Sequence, residues 1–147
     1  ARATRSSFVV ESPLKKGSYV SIKAFGHTAQ MRLLGNAENW QIELKVKMHG
    51  RIQEFSGPGM LDTDSELVRS LERRAAAAIR NRIEAMLSRS QELKSDVFGF
   101  GNLIYRKNPG LWQKIEHRWI EEIFPHLKIN LIVEFDILRT GLTGNPL

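Results

Sequence analysis

At 147 residues, with 41% hydrophobic content and a net charge of +6, the chain is long enough to bury the core of one domain without a metal or disulfide staple. It holds no cysteine, which removes disulfides, thiol nucleophiles and thiolate metal sites, and its apolar runs are too short for a bilayer-spanning helix. The positive charge draws anionic partners such as nucleic acid, acidic protein or anionic lipid, but Asp and Glu are interleaved with the basic residues, as on an ordinary solvated surface.

Residues 1–17 read as a linker or edge segment, and 18–147 as a single domain. The start, Ala1-Arg2-Ala3-Thr4-Arg5, carries neither an initiator Met nor an apolar signal core, so the chain is expected to be a piece of a longer protein. Phe8-Val9-Val10 is either a short edge strand or the tail of that linker, and Pro13 with Lys15-Lys16-Gly17 makes a turn. From Tyr19 to Leu34 the chain is extended, with Gly26 at a bend, and Gly35-Asn36-Ala37-Glu38-Asn39 supplies turn chemistry. Trp40, Ile42, Leu44, Val46 and Met48 then alternate with polar residues, the pattern of a half-buried strand that pairs with the preceding segment as a long hairpin.

Gly57-Pro58-Gly59 ends the sheet region, and Asp62-Thr63-Asp64-Ser65-Glu66 offers oxygens to cap a helix. With no Gly or Pro and with Ala75-Ala76-Ala77-Ala78 inside it, that helix is expected to run from about Asp64 to Lys94. Leu67, Leu71, Ala75, Ala78, Ile79, Met86 and Leu93 fall on one side of it, and Arg69, Arg73, Arg80 and Glu84 nearly opposite. Arg82 and Arg89, nearer the apolar side, should snorkel or pair. Asp96 is positioned as a second N-cap after a break near Ser95, opening a short helix with Phe98, Leu103 and Ile104 inward. Asn108-Pro109-Gly110 breaks this helix, a third follows with Trp112, Ile115, Trp119, Ile120 and Ile123 at helical spacing, and Pro125 stops it. Ile129 to Leu138 forms a last strand, apolar enough on both faces to be expected at the centre of the sheet. Strands, then helices, then a returning strand give an α+β fold: a mixed or antiparallel sheet of about four strands packed against one long and two shorter helices.

No constellation in the chain carries recognisable chemistry. Phe98-Gly99-Phe100-Gly101 holds a GxG, but Ile104 stands where a dinucleotide loop requires its third glycine. His27, His49, His117 and His126 lack metal-ligand spacing. The acidic run at Asp62 lacks the glycine and distal glutamate of a calcium loop. Ser90, Ser95, Asp96 and His117 have no nucleophile elbow around them. No enzyme, cofactor or metal is expected. Nor is nucleic acid, because no aromatics interleave with the basic helix face.

Gln91-Glu92-Leu93-Lys94-Ser95-Asp96-Val97-Phe98-Gly99-Phe100-Gly101, then Asn108-Pro109-Gly110-Leu111-Trp112, Trp119 and Phe124-Pro125, with the ending Leu138-Arg139-Thr140-Gly141-Leu142-Thr143, resembles the C-terminal region of the Ger(x)C spore germination lipoproteins. The resemblance is best from about Leu61 to Thr143. These are the C subunits of germinant receptors. The resemblance implies the last of three domains of a non-catalytic lipoprotein on the outer face of the spore inner membrane. The lipid anchor would lie outside this fragment, and the partners would be the integral-membrane A and B subunits. It also implies mainly structural duties for the motif residues: Asp96 caps, Gly99 and Gly101 allow close contact, Trp112 and Trp119 fill the core, and Gly141 allows a turn. The candidate interaction surface is the basic helix side, Arg69, Arg73 and Arg80, which could meet an acidic subunit region or anionic headgroups at ~1 kcal/mol per basic residue. The rival readings are direct binding of a small germinant and a basic peripheral module for membrane or nucleic acid.

Overall fold

The alternating N-terminal half forms three strands, β1 (Ser6–Glu11), β2 (Tyr19–Gly35) and β3 (Trp40–Phe55). The computed structural model describes residues 6–12, 19–55 and 65–138. After β3 come α1 (Ser65–Glu92), α2 (Phe100–Lys107) and α3 (Pro109–Ile115), then a chain of short irregular helical turns to His126, and finally β4 (Ile129–Ile137). The Gly57-Pro58-Gly59 stop, most of the Asp62–Glu66 capping set, and Gly141 lie outside the described residues.

The strands are ordered β1-β2-β3-β4. β1 is antiparallel to β2, with Phe8 opposite Ile22 and Val10 opposite Val20. β2 turns into β3 at Gly35, whose φ of 89 is left-handed backbone that glycine adopts without strain. In the turn, Asn36 Oδ1 accepts from the backbone N–H of Glu38 and of Asn39, at 3.1 and 3.0 Å. Between β3 and β4 the contacts advance in the same direction: Gln41 with Asn130, Lys47 with Asp136, Gly50 with Leu138. That pair is therefore parallel and the sheet mixed, and a parallel pair requires a crossover, which the helical run supplies. The α+β class read from the sequence is the one found.

Two expectations are corrected. β4 is an edge strand, not a central one. Its outward-facing backbone is met by side chains of α1: Glu72 accepts from the Ile137 N–H at 2.8 Å and Arg80 Nη1 donates to the Leu131 carbonyl at 2.6 Å. An edge covered in this way needs no further strand, so the apolar character of β4 says nothing about where its neighbours lie. Met86 in α1 and Leu93 just past its end are 58% and 59% exposed, whereas Leu87 and Ser90 are buried. Most of the buried positions step by four, through Leu67, Leu71, Ala75 and Ile79 and then on to Leu87, with Val68 and Ser90 beside them. Each such step rotates the buried face by about 40°, and Met86 and Leu93, placed on an averaged stripe, are carried out of the core.

The chain divides into two compact units, one of residues 1–28, 46–79 and 133–147, the other of 29–45 and 80–132. β2, β3, β4 and α1 each contribute to both. In the first unit Val20, Ile22, Leu71 and Phe135 lie in the core, and the Phe135 ring sits against the backbone at Gly50, where a Cβ would meet its Cζ at 2.5 Å. In the second the core is Ile42, Leu103, Ile104 and the aromatic residues Phe100, Trp119 and Phe124.

Candidate interaction surface

The segment 91–101 sits wholly in the second unit and begins where α1 stops. The Ser95 N–H reaches back to the Ser90 carbonyl at 2.9 Å and the Lys94 N–H to Gln91 at 3.1 Å, with Lys94 at φ 51. This is a Schellman ending, with lysine where glycine is usual. The chain then turns sharply, and Gly99, also left-handed at φ 82, leads into α2.

Asp96 organises the turn. Its Oδ1 accepts from the N–H of Gly99 and of Phe100 at 3.1 and 2.9 Å, and its Oδ2 from the Gly101 N–H at 2.7 Å and the Trp119 indole N–H at 3.1 Å. The sequence placed Asp96 at the N-cap itself. The cap position is Gly99, and the carboxylate reaches the first turn of α2 from three residues further back. Phe98, expected inward, is half-buried, and Phe100 takes the buried position. A Cβ on Gly101 would lie 2.9 Å from Trp112 Cη2 and 2.9 Å from Trp119 Nε1. Trp119 meets Trp112 edge-on at 5.6 Å and also packs near Trp40 and Phe124. Asp96, Gly101, Trp112 and Trp119 thus form one node.

Two further residues of the segment hold the turns that follow α3. Gln91 Nε2 donates to the carbonyls of Phe124 and Leu127, at 3.0 and 2.7 Å. Lys94 Nζ pairs with Glu121 at 2.6 Å. Asn108 and Pro109 act as a helix start: the Asn108 side chain accepts from the Leu111 N–H at 3.0 Å and Pro109 occupies the first turn of α3.

Gln91, Asp96 and Gly101 are turned to the fold, whereas the segment's aliphatic residues are not. Leu93 and Val97 are 59% and 72% exposed. With Ala85, Met86, Arg89, Ser90, Ser95 and Phe98 they line a groove of about 390 Å³. The Ser90 hydroxyl is already donated to the Leu87 carbonyl at 2.9 Å. Sequence reasoning missed this groove because it assigned Met86 and Leu93 to the core. The signal was present in the four-residue step of the apolar positions.

The basic face is divided. Arg69 and Arg73 are exposed in the first unit, without an ion pair or hydrogen bond to another described residue. They line a second groove of about 300 Å³ together with Glu72, Glu134 and Asp136, so its charge is mixed. Arg80 is committed to Leu131 and, at 3.1 Å, to Glu84. Arg89 pairs with Glu92 at 3.2 Å, one of the two outcomes expected for it. Among the described residues no three His, Asp or Glu side chains gather as a metal site.

Comparison with known proteins supplies context for this geometry. Residues 2–141 match the family described as "Spore germination B3/ GerAC like, C-terminal". Spore germination protein KC of Bacillus subtilis (strain 168) is 33% identical over 106 residues, which cover 72% of this chain and 26% of that protein. The chain therefore spans about a quarter of the length of this curated relative. The crystal structure of the GerBC protein has the same fold, with a TM-score of 0.76 at 15% identity, covering 92% of this chain and 41% of that one.

Proposed function

Because the chain belongs to the spore germination B3/GerAC-like C-terminal family, we propose that it is a non-catalytic domain of a germinant receptor C subunit, needed for nutrient-triggered germination. In this reading it acts by assembling with the integral-membrane A and B subunits. The full-length protein is held on the outer face of the spore inner membrane by a lipid anchor. The observation that carries the proposal is the family match across residues 2–141.

The structure adds support of a physical kind. The acidic and aromatic residues most tempting as a site, Asp96 and Trp119, use their polar atoms on each other and on the start of α2. Direct germinant binding calls for a concave site with convergent polar groups. The groove beside Leu93 is lined mainly by aliphatic and aromatic side chains; of its polar residues Arg89, Ser90 and Ser95, the Ser90 hydroxyl is already engaged and Arg89 is paired with Glu92. A peripheral anion binder would use Arg69 and Arg73, which share their groove with three carboxylates.

The test is a full-length protein with and without this domain, tagged and produced in sporulating cells. Loss of the domain is expected to abolish nutrient-triggered germination and the co-purification of the A and B subunits. Normal germination without the domain would refute the proposal. Heat evolved when the domain is titrated with amino acids or sugars would favour direct germinant binding instead.

A further inference from the structure

We infer that the groove at the C-terminal end of α1 is the docking site for one amphipathic helix of a partner protein, apolar on the side facing Met86, Leu93, Val97 and Phe98 and acidic along the edge facing Arg82 and Arg89. That the partner is a receptor subunit rests on the function proposed above; the groove and its occupant's chemistry do not.

Three observations select this occupant. The first is shape: Met86, Leu93 and Val97 are more than half exposed and line a shallow, open groove of about 390 Å³. A helix lays side chains spaced three, four and seven residues apart into such a groove, whereas a bilayer surface is met by apolar tips that protrude. The second is size. A stable dimer needs about 800 Å² from each partner, far more than these few side chains present, so a second copy of this chain is disfavoured. The third is charge: Arg82 is exposed on the α1 face shared with Met86 and Arg89, and has no ion pair or hydrogen bond to another described residue. Arg89 is held by Glu92 through a pair whose side chains are 69% and 67% exposed. So exposed a pair is weak, and its guanidinium can turn to a carboxylate that arrives with the apolar contact.

The contact can be read by methyl NMR of the labelled chain. The probe is a synthetic peptide of roughly 18 residues, long enough to hold a helix, with leucines along one face and glutamates beside them. Addition of this peptide is expected to shift the methyl signals of Met86, Leu93 and Val97 and to leave those of Val20 and Ile22 in place. A peptide with serine for each leucine should have no effect. Leu93→Glu, and separately the pair Arg82→Glu with Arg89→Glu, should weaken binding at least tenfold while circular dichroism stays that of the parent. Val97→Asp serves the same end if Leu93→Glu folds poorly. The inference is overturned if millimolar peptide moves none of these methyls. It is also overturned if anionic phosphatidylglycerol vesicles alone move them, or if raising the chain concentration alone does so. In the full-length protein, A and B subunits co-purifying with the parent but not with Leu93→Glu would place a receptor subunit in the groove. Equal co-purification with both would remove the groove and leave the assembly reading intact. Peptide binding with no co-purification even by the parent would do the reverse.

Discussion

Asp96 accepts four hydrogen bonds from three backbone N–H groups and one indole, and hydrogen bonds to a charged acceptor contribute roughly 1.5–3 kcal/mol each at best, with strong non-additivity. Asp96→Ala should therefore lower unfolding free energy by about 3 kcal/mol, measured by urea denaturation. The two neighbouring glycines differ in why they are needed. Gly99 has open space around it but a left-handed φ, so Gly99→Ala should cost about 1 kcal/mol and Gly99→Asn less. Gly101→Ala places a methyl against two tryptophan rings, an overpacking that should cost about 1–3 kcal/mol whatever the backbone prefers. Lys94 presents the opposite case. Its left-handed conformation disfavours a side chain, and its ion pair with Glu121 is largely exposed, at 49% and 67%. Such pairs contribute about 0–1 kcal/mol, so Lys94→Gly should leave stability unchanged or raise it by up to ~1 kcal/mol. The capping role of Asp96 could be read from its place after a helix break. Its bond to Trp119 could not, because the two are 23 residues apart and only the folded chain brings them together.

At the scale of elements, the covering of β4 by α1 makes a separate prediction. Glu72→Ala removes the acceptor of the Ile137 N–H. Amide hydrogen exchange at Ile137 should rise markedly in that variant while exchange in β1 is unchanged, with a stability loss of about 1–2 kcal/mol. Arg80→Ala should expose the Leu131 carbonyl and cost a similar amount. Equal exchange in parent and Glu72→Ala would mean that the edge is held by something else. These side-chain covers also explain the limits of sequence reading here. Period-two alternation located β3 and β4, and helix propensity located α1 to within two residues, because those signals are local. Strand order is not local, and β4 carries the apolar content of a central strand while lying at the edge. The wheel of α1 likewise averaged over 28 residues a buried face that rotates as it goes, which hid the groove.

For the molecule as a whole, one short segment joins two tasks. Gln91, Lys94, Asp96, Gly99 and Gly101 hold α1, α2 and the turns before β4 in place, while Leu93 and Val97, interleaved among them, face solvent. The reading in terms of assembly and the reading in terms of structure thus predict different variants to be harmful, and for different reasons. A comparison of nutrient-triggered germination in spores carrying the full-length protein as parent, Asp96→Ala or Leu93→Glu, each with the melting temperature of the purified domain, separates them most directly. The account predicts that Asp96→Ala lowers both the melting temperature and germination, whereas Leu93→Glu melts like the parent and yet germinates at a small fraction of its rate. Spores carrying a well-folded Leu93→Glu that germinate as fast as the parent would contradict it.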